Sequence, residues 1–340
     1  MSEEEESATN DESAPNDESA TDDETTANDE PAANDESAAD DEPATEAESA
    51  AKDKPPTDDP PLTKKQLCFK AFKAQNVIAW REEARKNIIA VVKFRPFNTM
   101  DKETKSQYKN VAHHLIQQTR FQNPNKVNGP ALSGKMYSLG WRKGFEKDMI
   151  IGFTGIAEKV SRDPEGYEEL QSQVDNVSRF IGQQFKALSR PIYQEVKRQH
   201  NTIGAPGLTP LFTSAPGNFT CHLSYTFDNF SNKPHTDRDS LPYTFFTWLP
   251  IDKTTGDLIE DDLDRYGGEF VFPRHGFGIY FSGFKGVVEC AWRAKHIHHL
   301  TVPSTTPNAS PHTRLGYSVQ LPRKTKDTQK KTTKRLRTFL

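Results

Sequence analysis

The run 232–240, "NKPHTDRDS", sets His235, Asp237 and Asp239 at every second position. Side chains two apart on an extended chain share a face, so His235 and Asp237 would offer an imidazole nitrogen and a carboxylate oxygen to one ion. Mixed nitrogen and oxygen donors of this kind suit a divalent transition metal. His235-Thr236-Asp237 is the only His-x-acid triplet in the chain, but with ten histidines one such triplet is no rarity. The pair therefore needs further donors elsewhere. Asp239 is expected in solvent or behind the ligands, because one strand face has room for only two of them.

The further donors lie in "WRAKHIHHLTVP", residues 292–303, which reads as another strand carrying His296, His298 and His299. Alternation puts His296 and His298 on one face and His299 on the other. Two histidines and one carboxylate on one side of an ion leave the opposite positions open, which is the ligand set of non-haem Fe(II) oxygenases. Open positions of that kind can take a keto acid and dioxygen. Arg314 follows His299 by fifteen residues, and a guanidinium there would grip the far carboxylate of 2-oxoglutarate in a bidentate pair. Ser318, on the same strand face, would add a hydroxyl hydrogen bond. The order H-x-D, then H, then R is more specific than any of its parts. His222, His275, His113 and His114 read as ordinary surface or core residues, and Trp292 as core.

These residues need a scaffold of strands. After Pro206 the apolar period is 2: "FTCHLSYTF", "YTFFTWLPI", "GGEFVFP", "GFGIYF", "GVVECAW" and "TRLGYSVQL" are short β-rich runs separated by Gly, Pro and Asp. Strands so spaced predict a sandwich or barrel. Residues 63–205 read mainly as helix. "KKQLCFKAFKAQ" follows a Thr63 cap, a second helix is expected over about 101–120, and "IIAVVKF" at 88–94 is the exception, a buried strand. Asp163-Pro164 opens the strongest helix, with Tyr167, Leu170, Val174, Val177, Ile181, Phe185 and Leu188 in one stripe until Pro191 breaks it.

The net charge of −4 hides a dipole: residues 1–62 carry −21 and residues 63–340 carry +17. The acidic part repeats a six-residue N-D-E-S-A-x unit from Asn10 without any Val, Ile, Leu or Phe. Such units bury too little to offset ordering entropy, so a disordered tail is expected over 1–62, closed by the proline-rich "KPPTDDPPL". No apolar run is long enough for a membrane span, and none at the start reads as a signal peptide. Cys68, Cys221 and Cys290 are few and scattered, which favours a reducing, intracellular setting. The basic body predicts a polyanionic partner, with nucleic acid the leading one. The basic tail 323–340 contains "KKTTKRLR", which suits nuclear import or a backbone-contacting arm. The acidic tail would compete for the same basic surface.

The runs "HTDRDSLPYTFFTWLPID", "GGEFVFPRHGFGIYF", "GVVECAW…HHLTVP" and "TRLGYSVQL" resemble the Tet-like 2-oxoglutarate/Fe(II) oxygenases found in fungi, a branch of the TET/JBP superfamily. The likeness spans about 206–322 and extends more loosely over 63–205. It implies an α+β fold, a double-stranded β-helix (jelly roll) core over 206–322 with the N-terminal helices packed on it. It implies His235, Asp237 and His299 as iron ligands, with His298 as runner-up for the last, since the family's distal histidine precedes an x-Thr. It puts Arg314 on 2-oxoglutarate and matches Gly267-Gly268 to a glycine pair at a strand start. By this resemblance the chain is a dioxygenase, with Fe(II), 2-oxoglutarate and dioxygen as its reagents. It would oxidise the methyl of 5-methylcytosine, or of another methylated pyrimidine, in DNA. The same chemistry on a protein or small molecule is an alternative. So is a non-catalytic nucleic-acid-binding protein related to mobile elements.

Overall fold

A computed structural model describes residues 70–72, 77–80, 88–125, 131–143, 151–263 and 265–338. The acidic repeats, the proline-rich linker, Thr63 and Cys68 lie outside the described residues. So does most of "KKQLCFKAFKAQ". Its described part, Lys70–Phe72, is a strand (β1) rather than the helix expected there.

An eight-stranded sheet dominates the molecule. In chain order its strands are β2 (Val77–Trp80), β3 (Ile88–Pro96), β4 (Ala131–Lys143), β5 (Ile151–Phe153), β6 (His222–Asn232), β7 (Thr244–Asp252), β11 (Gly286–Trp292) and β14 (His312–Gln320). Their spatial order is β2-β3-β11-β7-β14-β6-β4-β5 and every pairing is antiparallel. A smaller sheet, β1-β10-β9-β12, adds β9 (Phe270–Phe272), β10 (Phe277–Ile279) and β12 (Leu300–Thr301). A two-stranded ribbon joins β8 (Tyr266–Gly267) to β13 (Ser304–Thr305). Large and small sheets face each other as in a double-stranded β-helix, and the fold is α+β.

Alternation along each strand divides the large sheet into two unlike faces. Leu223, Tyr225, Phe245, Leu249, Val287, Ala291, Leu315, Tyr317 and Val319 point one way and join a single apolar core with the helices. Helix α1 (Lys102–Gln118) contributes Tyr108, Val111, Ala112 and Leu115, α4 (Val174–Leu188) Val177, Ile181 and Phe185, and α5 (Arg190–Ile203) Ile192 and Val196. Phe185 stacks on Phe245 at 4.8 Å between ring centroids. The opposite face turns Val92, Phe94, Trp248, Val288, Cys290 and Trp292 towards Phe270, Phe272 and Ile279 of the small sheet.

The helices start where the sequence supplies caps. Asp101 accepts from Thr104 N at 2.7 Å. After the short α2 (Ala157–Arg162), Asp163 accepts from Gly166 N at 3.0 Å at the head of α3 (Pro164–Ser172). The long stripe from Tyr167 to Leu188 is divided at Gln173 into α3 and α4. Pro191 sits in the first turn of α5, where its missing N–H costs nothing.

Two features go beyond what the sequence suggests. The stretch 63–205, read as mainly helical, supplies five strands, four of them to the large sheet. The missed β4 contains Gly134 and Gly140, both at positive φ, which dilute the alternation that marks a strand. The basic tail forms α6 (Arg323–Thr338). It begins where Arg323 N donates to Arg238 O at 3.0 Å.

Candidate metal centre

His235 and His299 meet across an antiparallel bridge at the mouth between the two sheets. His235 N donates to His299 O at 3.1 Å, and His299 N donates to His235 O at 3.0 Å. Asp237 is fixed by its own N–H, which donates to Ala294 O at 3.0 Å. Asp237 Oδ1 then stands 3.5 Å from Nε2 of His235 and 3.5 Å from Nε2 of His299. The three ligand atoms lie within 4.8 Å of one another. Adjacent ligands on one ion, with bonds of about 2.1 Å, stand about 3 Å apart, so small shifts would close these three on a metal.

Proton positions favour the same reading. His235 Nδ1 lies 2.9 Å from Lys233 O, and His299 Nδ1 lies 2.9 Å from Ile297 O. A carbonyl only accepts, so each Nδ1 carries the proton and each Nε2 offers a lone pair towards Asp237. Trp292 Nε1 also approaches His299 Nδ1, at 3.3 Å. That nitrogen cannot donate and accept at once, and the shorter contact assigns its proton. Trp292 is therefore a packing wall for the ring. Burial raises the Asp237 carboxyl, but His299 and His235 when protonated more than offset it and hold it well below the usual carboxylate range, and a cation between neutral rings would act in the same sense.

His299 is 4% exposed and joins the cluster, whereas His298 does not. The strand expected over 292–303 is a turn at residues 294–296, with Arg293 O accepting from the N–H groups of His296 and Ile297. The alternation argument for His296 and His298 therefore has no strand to act on. Asp239 is neither in solvent nor at the metal position. It is buried, accepts from Leu241 N and Leu321 N, each at 3.0 Å, and pins the loop to the end of β14. Burial, opposed by those two bonds and aided by the charge of Asp237, pushes its carboxyl up to about 7.

Arg314, Gly316, Ser318 and Gln320 all point to this side of the large sheet, opposite Leu315, Tyr317 and Val319. Gln320 Nε2 reaches Asp237 Oδ2 at 3.5 Å. Ser318 is buried beside Ser224 and Phe246. A Cβ at Gly316 would meet the Phe246 ring at 2.7 Å, so the glycine lets that ring lie against the sheet. At the far end Arg314 is 6% exposed, stacks 3.9 Å over the Phe281 ring and donates from Nη2 to Gly268 O. Its Nη1 is buried without a hydrogen-bond partner. Burial, and then the charge of Arg265, pulls the guanidinium well below its ordinary value. A buried cation with an unused donor is a place for an anion.

The family model described as the Tet-like 2OG-Fe(II) oxygenase superfamily matches residues 101–304, more than half of the chain. The chain belongs to the Tet-like 2OG-Fe(II) oxygenase superfamily. It is a 2-oxoglutarate-dependent oxygenase, and its cofactors are Fe(II) and 2-oxoglutarate, with dioxygen as the other cosubstrate. The span matched to this superfamily contains His235, Asp237 and His299 and stops before Arg314. No curated protein matches the chain. Among solved structures the oxygenase is similar to that of OsALKBH1, at 12% identity over 68% of this chain and 96% of that one, with a TM-score of 0.33. A Pseudomonas putida prolyl-4-hydroxylase matches at 10% identity over 68% and 92%, with a TM-score of 0.31. The structure of IDO from Bacillus thuringiensis matches at 12% over 68% and 91%, with a TM-score of 0.29. Likenesses this distant say nothing about substrate. Among the described residues no helix is long and apolar enough to cross a membrane.

Residue-type reasoning missed Gln320 as a neighbour of Asp237, although its strand face follows from Ser318. It also missed Arg265, which no motif marks.

Proposed function

We propose that His235, Asp237 and His299 hold Fe(II), and that Arg314, helped by Ser318, binds the far carboxylate of 2-oxoglutarate. The observation that carries this is the pair of Nε2 lone pairs aimed at one ionised carboxylate, each ring fixed by a carbonyl behind it. Bound there, Fe(II) supplies the dioxygen activation that couples decarboxylation of 2-oxoglutarate to succinate with oxidation of a substrate C–H bond. The chain's own residues orient and protect. Gln320 holds Asp237 Oδ2, so Oδ1 points inward. Phe246, Trp248, Phe270 and Trp292 form an aromatic wall that keeps water out. Arg314 meets a carboxylate at the closed end, where no water competes.

We assign the substrate as a methylated pyrimidine in DNA, 5-methylcytosine first, acting in the nucleus, as in the fungal Tet-like branch of the TET/JBP superfamily. Charge at the rim supports a polyanion. The two segments that carry the ligands expose Lys233, Arg238 and Lys295, while their acids are the ligand Asp237 and the buried Asp239. Helix α6 starts against Arg238 and exposes Arg323, Lys324, Lys330 and Lys331. Phosphates on either side of an extruded base would meet these cations. The test is mass spectrometry of methylated DNA after incubation with Fe(II), 2-oxoglutarate and ascorbate. Oxidised methylcytosine is expected. Succinate production without any change in the DNA would move the substrate to a protein or small molecule.

A further inference from the structure

Two arginines are buried beside one glycine, and only one of them has a part in the reading above. Arg265 and Arg314 are each 6% exposed. Arg314 Nη2 donates to Gly268 O, and a Cβ built on Gly268 would lie 2.8 Å from Arg265 Nη2. Through this glycine the two guanidiniums stand within about 9 Å of each other. Gly268 takes a positive φ of 78°, a conformation that tolerates no side chain readily, and a Cβ there would crowd Arg265.

Neither arginine has a carboxylate at ion-pair distance among the described residues. Arg265 Nε and Arg314 Nη1 are both buried without a hydrogen-bond partner. Burial lowers Arg265 to about 10, opposed by Glu269, the one acid that acts on both guanidiniums. Arg265, Arg314 and Glu269 together leave one positive charge, which a single carboxylate would neutralise. Two like charges buried with only one acid near them, and no carboxylate bonded to either, are costly, and a site keeps them only with something to offset that cost.

The position of Arg265 is built rather than incidental. Its Nη2 donates to Ser304 Oγ at 2.6 Å, and Ser304 Oγ donates in turn to Asn229 Oδ1 at 3.3 Å. Thr306 Oγ1 donates to the same Asn229 oxygen at 2.9 Å. Asn229 is held in the left-handed region, with φ 58°, a strain that persists where its surroundings over-determine it.

We propose that Arg265 is a second cationic positioning residue for the far carboxylate of 2-oxoglutarate, making the pocket selective for a dicarboxylate keto acid. The proposal rests on the role given to Arg314. Arg265 need not touch the carboxylate, because its charge, unscreened in the buried pocket, acts on whatever Arg314 binds.

The test is calorimetric binding to the full chain loaded with Mn(II) in place of Fe(II), so that nothing turns over. The probes are 2-oxoglutarate and 2-oxovalerate, which keeps the keto-acid head and ends in a methyl group. Arg265→Met is expected to weaken 2-oxoglutarate at least tenfold and to leave 2-oxovalerate within twofold. Arg265→Gln, which keeps a donor for Ser304 without the charge, is expected to match it, and Arg265→Lys to recover part of the affinity. Unchanged 2-oxoglutarate affinity in Arg265→Met and Arg265→Gln overturns the proposal, as does equal weakening of both keto acids. Arg314→Met separates the two readings. If it abolishes 2-oxoglutarate binding while Arg265→Met leaves the affinity unchanged, the Arg265 proposal alone falls. If neither variant matters, the role of Arg314 falls with it.

Discussion

The two faces of the large sheet are built from the same strands and do opposite jobs. On the helix side, Leu315, Tyr317 and Val319 are at most 1% exposed and pack into the apolar core with the helices. The buried charge there is met within the fold: Tyr108 donates to Glu289 at 2.6 Å, and Arg95 donates to Glu289 at 2.7 Å. On the other side, one residue along, Arg314 is equally buried and keeps an unused donor. Unpaired polar atoms occur on both faces, Tyr317 Oη and Thr247 Oγ1 on the helix side and Arg314 Nη1 on the other. The difference is that the buried charge of Glu289 is met by Arg95, whereas no carboxylate among the described residues bonds Arg314, which marks a place for an anion. Burial alone does not distinguish the two faces.

The sharpest break of this contrast is at Asp237. Asp237→Ala is expected to abolish 2-oxoglutarate turnover and metal binding, while the melting temperature stays within about 4 °C, because no core contact is lost. Leu315→Ala, next to Arg314 but on the other face, should do the reverse. It should cost about 2–5 kcal/mol by denaturant unfolding and leave metal affinity unchanged. Equal loss of stability in both variants would merge the two faces into one structural core.

The helix side should also carry an acid sensitivity. Burial pushes His114 and His200 down to about 4, below the ordinary value near 6.5. Both are then neutral in the folded chain at pH 7, and unfolding lets them take up protons once the pH drops below about 6.5. Their stabilising contribution is therefore full above about 6.5 and lost as pH falls towards 4, about 3 kcal/mol for each. Urea unfolding between pH 7 and 4 checks this, and His200→Gln should remove about 3 kcal/mol of the pH-dependent change.

The smallest effect expected is at a helix cap. Asp101→Ala should lower the urea midpoint slightly, through loss of the bond from Thr104 N. It should leave 2-oxoglutarate affinity unaltered, since the apolar side of α1 packs on the face of the sheet away from Arg314.

Much of this contrast is written in residue types. The alternation 313–321 assigns Arg314, Ser318 and Gln320 to one face without coordinates, and the triplet His235-Thr236-Asp237 announces donors. The distal histidine is different. His296, His298 and His299 look interchangeable until the turn at residues 294–296 replaces the expected strand and one bridge brings His299 alone to His235. That outcome depends on a contact 64 residues away in the chain, which no local pattern encodes. Arg265 was illegible for a similar reason: its meaning comes from Gly268 and Ser304, which only the fold brings to it. Asp239 was left between solvent and a place behind the ligands, because a polar loop with alternating acids does not show which of them is buried. The N–H groups that bury it belong partly to Leu321, on another strand's end.

The most direct test of the account is anaerobic Fe(II) titration of the wild type, His298→Ala and His299→Ala, read as ions bound per chain. One ion is expected in the wild type and in His298→Ala, and none in His299→Ala. Retained binding in His299→Ala, or its loss in His298→Ala, would contradict the ligand set from which the rest is argued.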